Sequence, residues 1–206
     1  MAKLVNSYAL WLRAWHSVNG ILCLILIASG LMMQYVSPIK IQISLSLVIF
    51  IHNGSGIILI FSWIFFIIAN GLSKNGLYYW PTIKLFKESI FQFRYYAYGM
   101  FKDKPSPFKE DPNRKFNPLQ QLAYFFTMYL FAPMLVITGF IMLNIERLLI
   151  DEKSILIYQI CDFIHISAAF MVSVFLVIHL YLVYIEGLDN LKKIIFKKKY
   201  YHISGK

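Results

Sequence analysis

The stretch FIHISAAFMVSVFLVIHLYLV, residues 163–183, carries two histidines, His165 and His179, in a run without a single charged side chain. An imidazole taken out of water loses favourable contacts unless another polar group or a metal replaces them. This segment therefore needs imidazole where its surroundings are oily. His165 and His179 stand fourteen residues apart. At about 100° per residue that spacing returns to within ~40° of the same helix face, and at ~1.5 Å rise it separates the two rings by ~21 Å. Read as a helix, the segment presents both imidazoles on one face at two depths.

The rest of the chain explains the oily setting. Of its 206 residues, 59% are hydrophobic and 15% charged, against roughly 25% charged in a soluble domain. Residues 14–39, 41–73, 116–145 and 163–185 contain no Asp, Glu, Lys or Arg, and each stretch exceeds the ~20 residues that cross a bilayer as a helix. The sequence predicts an all-α integral membrane four-helix bundle with spans at 9–36, 42–70, 118–145 and 154–187. The first apolar stretch is longer than the ~7–15-residue core of a signal peptide, and no small-residue cleavage pattern follows it, so it is expected to be retained. Residues 1–206 form one membrane domain on this reading, with no room for a separate soluble catalytic domain.

Basic residues set the expected orientation. Lys3 and Arg13, nine Lys or Arg from Lys74 to Lys115, and six from Lys192 to Lys206 fall on one side of a four-span chain; Lys40, Arg147 and Lys153 fall on the other. The positive-inside rule makes the richer side cytoplasmic, with both termini, the connection 71–117 and the basic tail 188–206 there, and a bacterial cytoplasmic (inner) membrane as the setting. The net charge of +10 then reflects topology and attraction to anionic membrane lipid rather than nucleic acid, because KKIIFKKKYYH directly follows a span. Cys23 and Cys161 sit at different depths and read as small buried residues.

Within the connection, YYWPTIKLFKESIFQFRYYAYGMF mixes bulky apolar residues with Lys84, Lys87 and Arg94, which predicts an interfacial helix with Pro81 near its start. DKPSPFKEDPNRKFNP, rich in proline and charge, reads as an extended linker into the third span.

Depth sorts the intramembrane histidines. His16 lies near the start of the first span, on the cytoplasmic side, whereas His52 lies toward the outer side of the second. The fourth span runs inward, so His165 shares the outer level with His52, and His179 shares the inner level with His16. Two stacked two-histidine sites suit a pair of haem groups, since haem iron accepts an imidazole on each face and the flat macrocycle fits between helices that leave room. Gly20, Gly56 and Ala169 each follow a histidine by one turn, and Gly30 follows His16 by fourteen residues; small residues at such positions also serve ordinary helix contact. Iron with histidine on both faces has no open position for substrate, so the expected chemistry is single-electron transfer.

RAWHSVNGILCLILIASG in the first span, His52 in the second, KFNPLQQLAY opening the third and the H-x13-H of the fourth resemble the bacterial di-haem cytochrome b subunits of membrane-bound molybdenum oxidoreductases and nickel-iron hydrogenases. KFNPLQ is most similar to the thiosulfate reductase cytochrome b type, with the formate dehydrogenase gamma subunit more distant. The resemblance covers nearly all of residues 8–187. It implies two haem b groups, one on His52 and His165, the other on His16 and His179. It also implies a site for a quinone, menaquinone or ubiquinone, beside the inner haem, with Asn117 and Gln120 in it. The formate dehydrogenase relatives place a glycine two residues after that asparagine, where this chain has Leu119, so that backbone contact does not carry over. Asn117 followed by Pro118 equally fits the N-cap of the third span, a role that uses the side-chain oxygen and leaves the amide protons. Arg13 is a candidate partner for a haem propionate or an ordinary snorkelling arginine.

Substrate chemistry belongs elsewhere, because the sequence has no cysteine cluster for an iron–sulfur centre and no nucleotide or molybdenum motif. The implied partner is an iron–sulfur, molybdenum or multihaem oxidoreductase subunit. Two other readings fit four apolar spans: a haem-free anchor for a peripheral complex, and a metal-ion transporter. The transporter would want carboxylates or thiolates gathered in one polar cavity, and the only carboxylates within the predicted spans, Asp162 and Glu186, fall toward opposite ends of the fourth.

Overall fold

The computed structural model describes residues 10–35, 43–73, 76, 79–108, 116–144 and 152–185. Among them no strand occurs, and four helical segments are long and apolar enough to cross a membrane. These are α1 (Leu10–Tyr35), α2 (Leu45–Leu72), a third span over Pro118–Leu143, and α6 (Glu152–Ile185). The third span is divided into α4 (Pro118–Phe126) and α5 (Ala132–Leu143). Between spans two and three lies α3 (Ile83–Arg94). The expected span limits fall within three residues of those observed. Large apolar side chains such as Phe61, Phe140 and Phe170 stay exposed on these helices, as lipid-facing surfaces require. The basic tail and residues 109–115 of the proline-rich linker lie outside the described residues.

The chain divides into two compact units, one of Met1–Ser62 with Ser173–Lys206 and the other Trp63–Val172. In the first unit, α1 and α2 run antiparallel, and their contacts recede in step from the connection between them. Ser29 meets His52, Leu26 lies against Gly56, and Asn19 Nδ2 donates to Ser62 Oγ at 2.7 Å. Trp15 Nε1 donates to the Ser62 carbonyl at 2.9 Å, and Asn19 Nδ2 also reaches the Trp15 carbonyl at 2.7 Å. Apolar packing alone distinguishes poorly between helix neighbours in lipid, so these polar ties fix the register.

In the second unit, α3 begins where expected, with Thr82 as N-cap accepting from the Leu85 N–H at 3.3 Å. It buries Leu85, Ser89 and Gln92 and packs against α4. Ile83, Phe86, Ile90 and Phe93 form a separate exposed apolar stripe, and Lys84 pairs with Glu88 one turn on at 3.5 Å. A helix with one face on protein and another apolar face uncovered suits the membrane interface. It continues through a π turn at Tyr95–Gly99 and a 3-10 turn at Met100–Lys102, and ends at Asp103, whose φ of 52° is left-handed.

The third span, predicted as a helix over 118–145, is interrupted by a π turn. Residues Thr127–Phe131 form a π turn in which the Ala132 N–H reaches back to the Thr127 carbonyl. The cause is Pro133, which has no N–H to offer and whose ring crowds the preceding turn. The Met128 carbonyl, deprived of a donor at position 133, accepts from the indole Nε1 of Trp63 at 2.9 Å. The widened turn also sets Tyr129 among Phe66, Tyr79, Trp80 and Phe125, stacked on the last at 5.8 Å between ring centroids.

Candidate functional site

Four half-buried histidines lie on the spanning helices, as the sequence implied: His16 on α1, His52 on α2, and His165 and His179 on α6. Within the first unit the structure brings His16 and His179 together. Their ring centroids are 6.2 Å apart, with the planes inclined at 62°. A single metal between two imidazoles, at the ~2 Å of a first-row metal–nitrogen bond with about 1 Å more to each ring centre, separates the centroids by roughly 6 Å. His16 and His179 are thus spaced as two residues that would hold one metal between them. Phe175, one turn before His179, stacks on it at 5.8 Å and 19° and limits how the ring can turn.

The helix surface beside His16 is open. Gly20 follows it by one turn on the same face, and a Cβ built there meets no heavy atom within 4 Å; the glycine is thus not required by protein packing. Gly56 differs, since a Cβ there would touch Leu26 at 3.9 Å, an ordinary helix contact. Arg13 is half-buried one turn before His16, and its carbonyl accepts from Ser17 Oγ at 3.1 Å.

His52 and His165 belong to different units. Each has a similar setting within its own. Ser29 Oγ lies 2.9 Å from His52 Nδ1, and a Cβ on the adjacent Gly30 would come 3.6 Å from the ring's Cε1. Thr138 Oγ1 lies 2.8 Å from His165 Nδ1, and a Cβ on the adjacent Gly139 would come 3.3 Å from Cε1. Both hydroxyls are buried. The sequence reading named Gly30 for a different reason and did not single out Ser29, Thr138 or Gly139. The hydroxyl–glycine dipeptides SG at 29–30 and TG at 138–139, each inside an apolar span, were the available signal.

Asn117 is the N-cap of α4, as its context predicted. Its Oδ1 accepts from the Gln120 N–H at 2.8 Å, while Gln120 Oε1 accepts from the Asn117 N–H at 3.2 Å, a reciprocal capping box followed by Pro118. One of the amide protons left by the cap is also used: Nδ2 donates to the hydroxyl of Tyr96, a buried residue of the π turn after α3, at 2.8 Å. The interfacial helix and the start of the third span are thereby joined through the asparagine.

Among the described residues, no three His, Cys, Asp or Glu side chains gather into a group that could hold a metal ion. Cys23 and Cys161 are free thiols. The candidate ligands that the structure does bring together are two imidazoles, those of His16 and His179.

Residues 7–197 match the family described as prokaryotic cytochrome b561. A protein of Escherichia coli (strain K12) named "Putative cytochrome YdhU" is 33% identical over 140 residues, covering 68% of this chain and 53% of the relative. The chain thus spans about half the length of that curated relative. No solved structure matches the chain.

Proposed function

Because the chain belongs to the prokaryotic cytochrome b561 family, and is as such a multi-pass membrane electron-transfer protein that uses haem b, we propose that it holds two bis-histidine haem b groups and passes electrons between the quinone pool and a partner oxidoreductase subunit. The observation that carries this reading is the spacing of His16 and His179, whose ring centroids lie 6.2 Å apart. Haem iron held on both faces by imidazole supplies one-electron transfer when bound. The chain's own contribution is to fix the rings. Phe175 restrains His179, and the Trp15 and Asn19 bonds to Ser62 set the rotation of α1 that aims His16. Pairing His52 with His165 as the second ligand set rests on their matching depth in the sequence.

The purified chain is expected to contain two haem b groups, measured as extracted haem against protein concentration. A ratio of one would overturn the second site.

Asn117 and Gln120 remain the proposed quinone residues, at the level of the inner haem. Support comes from their place at the opening of the third span, beside Tyr96 and the interfacial helix. Asn117→Leu is expected to slow quinol-driven haem reduction about tenfold, the kinetic equivalent of one hydrogen bond. Haem content and reduction by dithionite should stay unchanged. The lost cap costs ~1 kcal/mol, so thermal stability is measured alongside, and undiminished quinol turnover in a folded variant would move the site elsewhere.

The proposed quinone is menaquinone or ubiquinone, and the proposed partner an iron–sulfur, molybdenum or multihaem subunit of the kind that works with thiosulfate reductase cytochromes. Seventeen basic residues against three support a cytoplasmic placement of both termini and of the 71–117 connection, in a bacterial inner membrane.

A further inference from the structure

Ser29 and Thr138 each make two kinds of contact, one to their own helix and one to a histidine of the opposing helix. A hydroxyl has one proton to donate. Ser29 Oγ lies 2.7 Å from the Ile25 carbonyl and 3.2 Å from that of Leu26, groups that only accept. With that proton given to its own helix, its lone pair faces His52 Nδ1, 2.9 Å away, and accepts from it when the imidazole carries its hydrogen there. Thr138 repeats the pattern, with Oγ1 at 2.6 Å from the Met134 carbonyl, 3.4 Å from Leu135, and 2.8 Å from His165 Nδ1. An imidazole that binds a metal through Nε2 carries its hydrogen on Nδ1, so with His52 and His165 as ligands both hydroxyls stand as acceptors for Nδ1–H. In both, the glycine after the hydroxyl lets the ring edge lie close against the opposing helix. The hydroxyl–imidazole contact recurs on two different helix pairs, α1 with α2 and α5 with α6, and His52 is hydrogen-bonded in addition to the Leu26 backbone.

We propose that Ser29 and Thr138 are positioning residues that hold His52 and His165 in the Nδ1–H tautomer and, through that hydrogen bond, lower the reduction potential of the haem iron these histidines bind. This rests on the reading of His52 and His165 as ligands. A proton shared toward an acceptor leaves more electron density on the ring and makes Nε2 more basic. The acceptor is itself polarised, since its hydroxyl donates onward to a carbonyl, and linked hydrogen bonds strengthen one another. A more basic axial ligand favours ferric over ferrous iron. Among the described residues, neither His16 nor His179 has a hydroxyl bonded to its ring, so the effect is confined to one ligand set.

The test is potentiometric titration of the full-length, haem-loaded protein in lipid nanodiscs, following the haem absorption bands. Ser29→Ala and Thr138→Val are expected to retain haem and to raise the midpoint potential of the haem that is lost in His52→Ala, leaving the other unmoved. Ser29→Thr and Thr138→Ser, which keep the hydroxyl, should hold the native value. Unchanged or lowered potentials in the hydroxyl-free variants, with haem retained, overturn the proposal while leaving the ligands in place. If Ser29→Ala loses haem, Ser29→Thr must keep it; loss in both shows that the hydroxyl is not the cause. Full haem content in both His52→Ala and His165→Ala overturns the ligand reading itself, and this proposal with it.

Discussion

His179→Ala is expected to remove one of two haems per chain while the other remains bound and reducible by dithionite. His16→Ala should give the same loss, and the double variant should be no worse than either single one. The reason is geometric: the two rings lie 6.2 Å apart, a spacing that lets both hold one metal. Two residues that act through one shared atom are strongly non-additive, so the second replacement has nothing further to remove. Haem content per chain and the spectrum of the oxidised protein measure this directly, because haem kept by a single histidine would lose its six-coordinate character. Separate, additive haem losses from the two single variants would sink the pairing. Full retention in both would sink the site.

Gly139→Leu is expected to abolish binding at the haem that uses His165, with Gly139→Ala intermediate and Gly20→Ala close to the parent chain. A Cβ at Gly139 would stand 3.3 Å from His165 Cε1, tighter than ordinary carbon contacts. The ring has little freedom to yield, because its Nδ1 is held at 2.8 Å by Thr138, the neighbouring residue on the same helix. Alanine demands a shift of a few tenths of an ångström; leucine displaces the ring. At Gly20 a methyl group meets no protein atom, so only bulk extending toward His16 should interfere. Haem per chain, normalised to membrane-inserted protein, ranks the variants. Undiminished haem in a folded Gly139→Leu protein would mean that His165 does not bind iron from this position.

What the sequence disclosed follows from the range of each interaction. Spans are local averages over some twenty apolar residues, so all four were legible to within a few positions. The interfacial α3 was legible from its mixture of aromatic and basic residues, and the Asn117 cap from the Pro118 beside it. His16 and His179 could be brought to one level because chain direction reverses with each span. Ser29 and Thr138 were hidden: a small hydroxyl in an apolar helix usually bonds its own backbone, and both also do so. Only the opposing helix turns that common habit into a constraint on histidine. The Asn117–Tyr96 bond joins residues 21 apart across a proline-rich stretch of sequence, a distance that no local pattern encodes. Pro133 was not used in reading the third span, and it would not have fixed the form of the disturbance, because a kink, a break and a π turn all relieve the same missing N–H.

That π turn has a consequence for the phase of everything after it. A single π turn is in effect one extra residue accommodated without breaking the helix, and one residue advances an α-helix by about 100°. Thr138 and Gly139 face His165 from beyond Thr127–Phe131. Their azimuth about the helix axis is therefore referenced to the capped start at Asn117 through a chain length that includes the surplus residue. Shortening the turn by one would keep the span apolar and its composition nearly unchanged, yet rotate the hydroxyl–glycine pair about a quarter-turn away from the imidazole. In this helix the residue count between cap and histidine contact is a structural parameter in its own right, independent of which side chains fill it.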